Sequence, residues 1–226
     1  MTPNNIAGMA ALKGLNLVAL TDHNSCKNCP AFFEACRKQG IVPVAGMELS
    51  TAEDIHVVCL FEHLEDAMRF DEEIATHLLP MKNRPEIFGE QWILNGEDEI
   101  VGEVDTLLIS ATDLMIDDAI QLARSFGAHV RPAHIDRDAN GIVAVLGTIP
   151  EEYGFHCFEF HDAEQVEAYR SRFPMISPDS VLVCSDAHRL WEINEAEHAL
   201  ELEDEPYSSA LVRKRLFAYL NALDNR

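Results

Sequence analysis

Five short apolar runs in this chain each carry a histidine, aspartate or glutamate at one edge, and this recurrence restricts the fold more than any other feature. "LVAL" runs into Asp22 and His23, "VPVAGME" finishes on Glu48, and "HVVCLF" opens with His56. "HVRPAH" ends on His134, and "VLVC" leads to Asp186 and His188. Apolar runs of this length between turn residues read as buried strands rather than helices. Between them lie helical stretches: "NIAGMAALKG" stopping at Gly14, "CPAFFEACRKQG" stopping at Gly40, "LEDAMRFDEEIATHLL", "MIDDAIQLARSFG" and "AEQVEAYRSRF". Asp117 and Asp118 begin the fourth of these and Gly127 ends it, which are ordinary helix boundaries. Repeated strand-then-helix units predict an α/β fold with a largely parallel sheet, open or closed into a barrel. In both geometries, sites gather at the carboxyl ends of the strands.

The remainder is read from its punctuation. "IVPVAGMELS" and "DIHVVCLF" are two strands separated by a short polar turn, and "FHCFEF" is another strand. "NGIVAVLG" fits strand and helix equally, and Pro206 to Leu223 closes the chain as a helix. Pro80, Pro85, Gly89, Gly96 and Gly102 break up residues 80–116, which are predicted to be an irregular insertion of loops and short helical pieces. At 226 residues and 47% hydrophobic content, residues 1–226 suit one α/β domain with one sizeable core.

Convergence of the five strand edges on one face would bring imidazoles and carboxylates together. Nitrogen and oxygen donors in that mixture suit zinc, manganese or iron, and a carboxylate can bridge two ions. Such ions lower the pKa of a bound water and steady both oxygens of an in-line phosphoryl displacement. Asp186 and His188, two apart in an extended segment, point to the same side. Each residue also has a plain structural reading: Glu48 as a rim charge, Asp186 as a helix cap, any one histidine as a hydrogen-bonded surface group. His63, His77, His129, His156 and His198 are assigned that plain reading, and His161 is retained as a marginal site residue.

Charge and cysteine usage narrow the partners. Seventeen basic against 39 acidic residues give a formal charge of −22, which argues against long nucleic acid and anionic membranes. A local cationic site made by metal could still take a small phosphorylated substrate. The six cysteines are scattered, as in a reduced cytoplasmic protein, and Cys26 and Cys29 form a lone C-x-x-C without a second pair. No apolar run reaches membrane-spanning length and no signal-peptide pattern is present.

Taken together, "LVALTDHNS", "GMELST", "PAHIDR" and "CSDAHRL" resemble, in order and spacing, the conserved segments of the PHP (polymerase and histidinol phosphatase) domain family over nearly the whole chain. The variant is similar to bacterial PHP-type phosphoesterases. The resemblance implies a distorted (β/α)7-type barrel holding up to three divalent transition metals (Zn, Mn or Fe). It makes Glu48 a ligand bridging two metals, with His56 and His134 completing the second and Asp186 joining the first. His23 and His188 would serve a third. Asp22 becomes a supporting residue that orients an imidazole or water. Arg137 and Arg189 follow two of the segments and could grip the substrate phosphate.

One family element is missing: no H-x-H occurs in the 226 residues, so the first barrel strand is expected to be absent and fewer metals held. That leaves an uncovered sheet edge, which invites pairing with another chain and keeps a homo-oligomer open. The order of the later segments favours a longer natural protein over a crippled site. The implied activity is hydrolysis of a small phosphomonoester or short nucleotide by metal-activated water. The alternatives are a non-catalytic PHP-like scaffold with an incomplete site, and a metal-dependent hydrolase of C–N or C–O bonds.

Overall fold

The computed structural model describes residues 1–224. In chain order the elements are α1 (Pro3–Leu12), β1 (Leu17–Leu20), α2 (Cys29–Gln39), β2 (Val42–Ser50), β3 (His56–Phe61), α3 (Leu64–Ile74), α4 (Pro85–Phe88), β4 (Trp92–Leu94) and β5 (Ile100–Glu103). They continue with α5 (Ile116–Ser125), β6 (His129–Pro132), α6 (Ile142–Leu146), β7 (Phe158–Phe160), α7 (Val166–Arg172), β8 (Val181–Val183) and α8 (Ser209–Asp224). The ambiguous "NGIVAVLG" is thus the helix α6, stopped by Gly147 in the left-handed region. No helix among the described residues is long and apolar enough to cross a membrane.

The principal sheet has the order β1-β2-β3-β6. β1 and β2 are parallel, with Leu17 opposite Val42 and Leu20 opposite Ala45. β3 pairs antiparallel with both β2 and β6, which corrects the expected largely parallel sheet. The cause is the short connection at residues 51–55: a parallel crossover needs a dozen or more residues, so the chain must turn back. A separate parallel pair, β7 and β8, is joined to the end of β6 through Ile135 N–H, which donates to the Glu159 carbonyl at 2.9 Å. The sheets are not closed into a barrel; β1 and β8 each have one strand partner among the described residues and are largely only half buried.

Alternation along each strand divides the apolar residues between two faces. Met47 and Leu49 of β2, with Val57, Cys59 and Phe61 of β3, pack into the main core beside Phe32 of α2, Phe70 of α3 and Ile120 of α5. On the opposite face Val44, Val58 and Leu60 pack against Leu216, Phe217 and Leu220 of α8. Helices therefore cover both sides of the sheet, as its buried strands require.

The segment 80–116 is more regular than its prolines and glycines suggest. β4 and β5 form an antiparallel hairpin, with Trp92 opposite Glu103 and a bulge at Ile93 and Leu94. Its turn docks on the start of α1. The Asp98 carboxylate accepts from the Asn4 backbone N–H at 3.1 Å and from the Thr2 hydroxyl at 2.5 Å, and the Asn4 amide donates to the Gly96 carbonyl at 3.0 Å. Those bonds, opposed by partial burial, hold the Asp98 carboxyl below its ordinary range. Asp98→Ala should lower unfolding free energy by about 1 kcal/mol, the usual cost of losing a helix cap. Because the folded pKa is depressed, the contribution is present above the ordinary carboxylate pKa and disappears as pH falls through the folded value. Urea unfolding of both proteins at pH 7 and in acid measures both effects.

Candidate metal centre

Sheet register brings the first three polar groups together. His23 forms an isolated parallel bridge with Glu48, continuing the β1–β2 register three residues past Leu20 and Ala45. Glu48 stands opposite Val58, and His56 stands opposite Ser50, two positions along the same face. Glu48 N–H donates to the Asp22 carbonyl at 3.2 Å, and Asn24 N–H donates to the Glu48 carbonyl at 2.9 Å, so the main chain fixes the row. His134 arrives from beyond β6, at a φ of +26° that turns the backbone sharply. Ala133 N–H donates to the His56 carbonyl at 3.1 Å, which ties that turn to β3.

The Glu48 carboxylate is buried and faces imidazoles with both oxygens. Oε1 lies 3.2 Å from His56 Nδ1 and 3.1 Å from His134 Nε2, and those two nitrogens are 3.3 Å apart. Oε2 lies 3.3 Å from His23 Nδ1. Burial pushes the Glu48 carboxyl up, but the hydrogen bonds from His134 and His56 and the charges of His56 and His23 outweigh it and hold it well below its usual range. Burial lowers the His23 imidazole against the pull of Glu48, aided by the neighbouring His56, His188 and His134. At His134 burial also lowers, yet the hydrogen bond and charge of Glu48 prevail and raise it.

These residues fit a divalent metal. His23, Glu48 and His56 present ligand atoms within 4.8 Å of one another, and buried His23 Nδ1 makes no hydrogen bond although it faces Oε2. Ring nitrogens crowded around an anionic acceptor are the nitrogen and oxygen donor set that zinc, manganese or iron takes. The two oxygens of Glu48 face different imidazoles, Oε1 toward His56 and His134 and Oε2 toward His23.

Asp186 and His188 stand at the margin of this group. Asp186 Oδ2 pairs with Arg137 Nη1 at 3.0 Å. Burial and the charge of Glu48 raise its carboxyl, against Arg137, His134 and His188. His188 Nδ1 lies 2.9 Å from the Asp186 carbonyl oxygen, and its ring centroid is 5.8 Å from that of His23. Arg137 also approaches the His161 ring at 3.4 Å, which links that marginal histidine to the site. The Arg189 guanidinium lies 5.4 Å from the centroid of the exposed Trp191 ring, a cation–π contact. The Asp22 side chain lines a cleft that His23 also borders, and burial pushes its carboxyl up to about 6 against the Asn28 hydrogen bond and the α-amino charge.

Two features escaped the sequence reading. Asn24, at a φ of +48°, donates from its side chain to the Leu108 and Ser110 carbonyls at 2.8 Å and accepts from Ser50 N–H at 2.9 Å. Its position directly after Asp22 and His23 was the available signal. Arg131 and Glu159 form a buried ion pair; a glutamate between the two phenylalanines of "FEF" must face the other way, which was legible.

The PHP domain family matches residues 1–134. Among solved structures, the lesion-specific endonuclease EndoQ from Pyrococcus furiosus is 18% identical with a TM-score of 0.61, over 95% of this chain and 50% of its own. An Endonuclease Q complex with a 27-mer duplex bearing an abasic lesion is also 18% identical, at a TM-score of 0.58 over 96% of this chain and 52% of its own. The chain therefore spans about half the length of those nucleases. A candidate metal-dependent phosphoesterase from Bifidobacterium adolescentis is 15% identical with a TM-score of 0.52, over 96% of this chain and 90% of its own. None of the curated proteins matches this chain in sequence. With strand-end histidines grouped about one buried glutamate and more than half its length matched, the chain belongs to the PHP domain family.

Proposed function

We propose that this chain is a metal-dependent hydrolase of phosphate esters, acting on a small phosphomonoester or a short nucleotide. The observation that carries the reading is the buried Glu48 carboxylate with His23, His56 and His134 nitrogens at 3.1–3.3 Å. Glu48 Oε1 with His56 and His134 would hold one divalent ion, and Oε2 with His23 and the adjacent His188 would offer a second position. A metal bound there supplies Lewis-acid activation of water and neutralises charge on the phosphoryl oxygens. Arg137 would bind a phosphate oxygen, and its 3.0 Å pair with Asp186, which would orient the guanidinium, supports that reading. The Asp22 carbonyl, by accepting from Glu48 N–H, fixes the glutamate backbone. The partly exposed β1 and β8 edges are compatible with an incompletely closed (β/α)7-type barrel and with pairing to another chain.

The formal charge of −22 disfavours long polyanions. Yet the likeness to Endonuclease Q means that the fold itself gives no ground for excluding DNA. Among the described residues the six cysteines form no disulfide, which fits a reducing compartment such as the cytoplasm.

Elemental mass spectrometry on protein purified without chelators, paired with phosphate release before and after metal stripping, tests the proposal. One or more zinc, manganese or iron ions per chain are expected, with activity lost on stripping and restored by Mn²⁺ or Zn²⁺. Full activity without metal would overturn it. Metal binding without release from any phosphomonoester or nucleotide would favour the non-catalytic scaffold, and cleavage of an abasic duplex alone would favour a nuclease.

A further inference from the structure

A cleft of ≈ 420 Å³ opens beside His23, between the β1–α2 loop and the segment that carries β4 and β5. Its outer wall is apolar and aromatic: Phe88, Trp92 and Ile109 are 44%, 45% and 50% exposed, and Ile93 also lines it. Asparagines of the loop next to the candidate metal centre hold that wall in place. Asn28 donates to the Trp92 carbonyl at 3.1 Å and accepts from Leu94 N–H at 2.9 Å, while Asn24 grips the Leu108 and Ser110 carbonyls at 2.8 Å. Gln91 ties the two strands of the insertion by donating to the Val104 and Thr106 carbonyls at 2.7 and 2.8 Å. The wall is therefore preformed. Its lysine, Lys27, is already neutralised by Asp71, and the α-amino group of Met1 lines the space together with the acidic groups Asp22 and Glu90.

We infer that this cleft receives the leaving group of the substrate, and that this group carries a flat aromatic ring system and is no larger than a nucleoside. The inference rests on the phosphoesterase reading of the neighbouring site. A pocket of this volume with exposed rings suits stacking of a flat aromatic group. Hydrolysis there is balanced: water adds to phosphorus, the P–O bond to the aromatic alcohol or nucleoside breaks, and the alcohol takes a proton.

Two measurements separate this inference from the reading beneath it. The first compares kcat/KM for 1-naphthyl phosphate and glycerol phosphate in the Mn²⁺-loaded wild type, Trp92→Ala and Phe88→Ala. Stacking on an aromatic wall predicts a loss of roughly ten- to a hundredfold for the naphthyl ester in Trp92→Ala, with glycerol phosphate changed less than about twofold. The second follows adenosine binding by Trp92 fluorescence in a Trp191→Phe background, without turnover. Turnover of both esters with no ring preference and no effect of Trp92→Ala overturns the cleft assignment and leaves the phosphoesterase intact. Adenosine binding that quenches Trp92 without phosphate release from either ester overturns the phosphoesterase and with it the leaving-group role, and leaves the cleft as a ring-binding site without turnover. Neither binding nor turnover overturns both.

Discussion

Glu48→Ala should abolish metal loading and reduce phosphate release by about a thousandfold or more. The metal contribution to phosphoryl transfer is worth several kcal/mol, and each 1.36 kcal/mol is a factor of about ten in rate. The effect should exceed that of any single histidine, because both Glu48 oxygens face imidazoles: Oε1 faces His56 and His134 and Oε2 faces His23. Glu48→Gln keeps the shape but presents a neutral amide, and it should lose metal nearly as completely. Dialysis against Mn²⁺ followed by elemental analysis, with kcat/KM on one phosphomonoester, reads both effects. A melting curve guards against misfolding, since the substitution also relieves a buried carboxylate. His63→Ala, at an exposed helix cap remote from Glu48, is the control and should leave loading unchanged. Retention of stoichiometric metal by Glu48→Ala would remove the basis of the functional reading.

The site was legible in the sequence where main-chain register decides position. His23, Glu48 and His56 converge because a residue just beyond one strand and residues on its neighbours fall on one face of one sheet. Strand ends and alternation suffice to read that. His134 was legible for the same reason, although its left-handed turn was not. The marginal residues were less legible because rotamers and long-range partners place them. Arg137 is directed by Asp186, some fifty positions later, and Arg189 by Trp191. Neighbourhood in sequence says little about where a long guanidinium stem points. In the fold, β3 runs against the expected parallel order because the short turn at residues 51–55 cannot make a parallel crossover, a constraint of connection length that strand-then-helix repetition does not carry. The β4–β5 hairpin was hidden by its glycines. Its stability comes from contacts to Asn28, Asn4 and Thr2, which no local pattern displays.

Glu159→Ala is expected to cost about 3–5 kcal/mol of stability, the range for breaking a buried ion pair from one side. Arg131 lies on the same row and face as Val58 and Glu48, and its guanidinium donates to Glu159 Oε2 from Nε at 3.0 Å and Nη2 at 2.7 Å. The two side chains are only 5% and 6% exposed, so loss of the carboxylate strands a cation away from water. Arg131 Nη1 is already buried without a hydrogen-bond partner and leaves little room for compensation. The double variant Arg131→Met/Glu159→Leu removes both charges and should recover most of the loss, since apolar replacement of a buried pair is often neutral or stabilising. Urea unfolding of the two single variants and the double variant measures the coupling. Strong destabilisation by Glu159→Ala, reversed in the double variant, would identify the stranded guanidinium as the cause. A loss that persists in the double variant would instead assign Glu159 a part in supporting the site, consistent with its charge helping to raise the His134 imidazole.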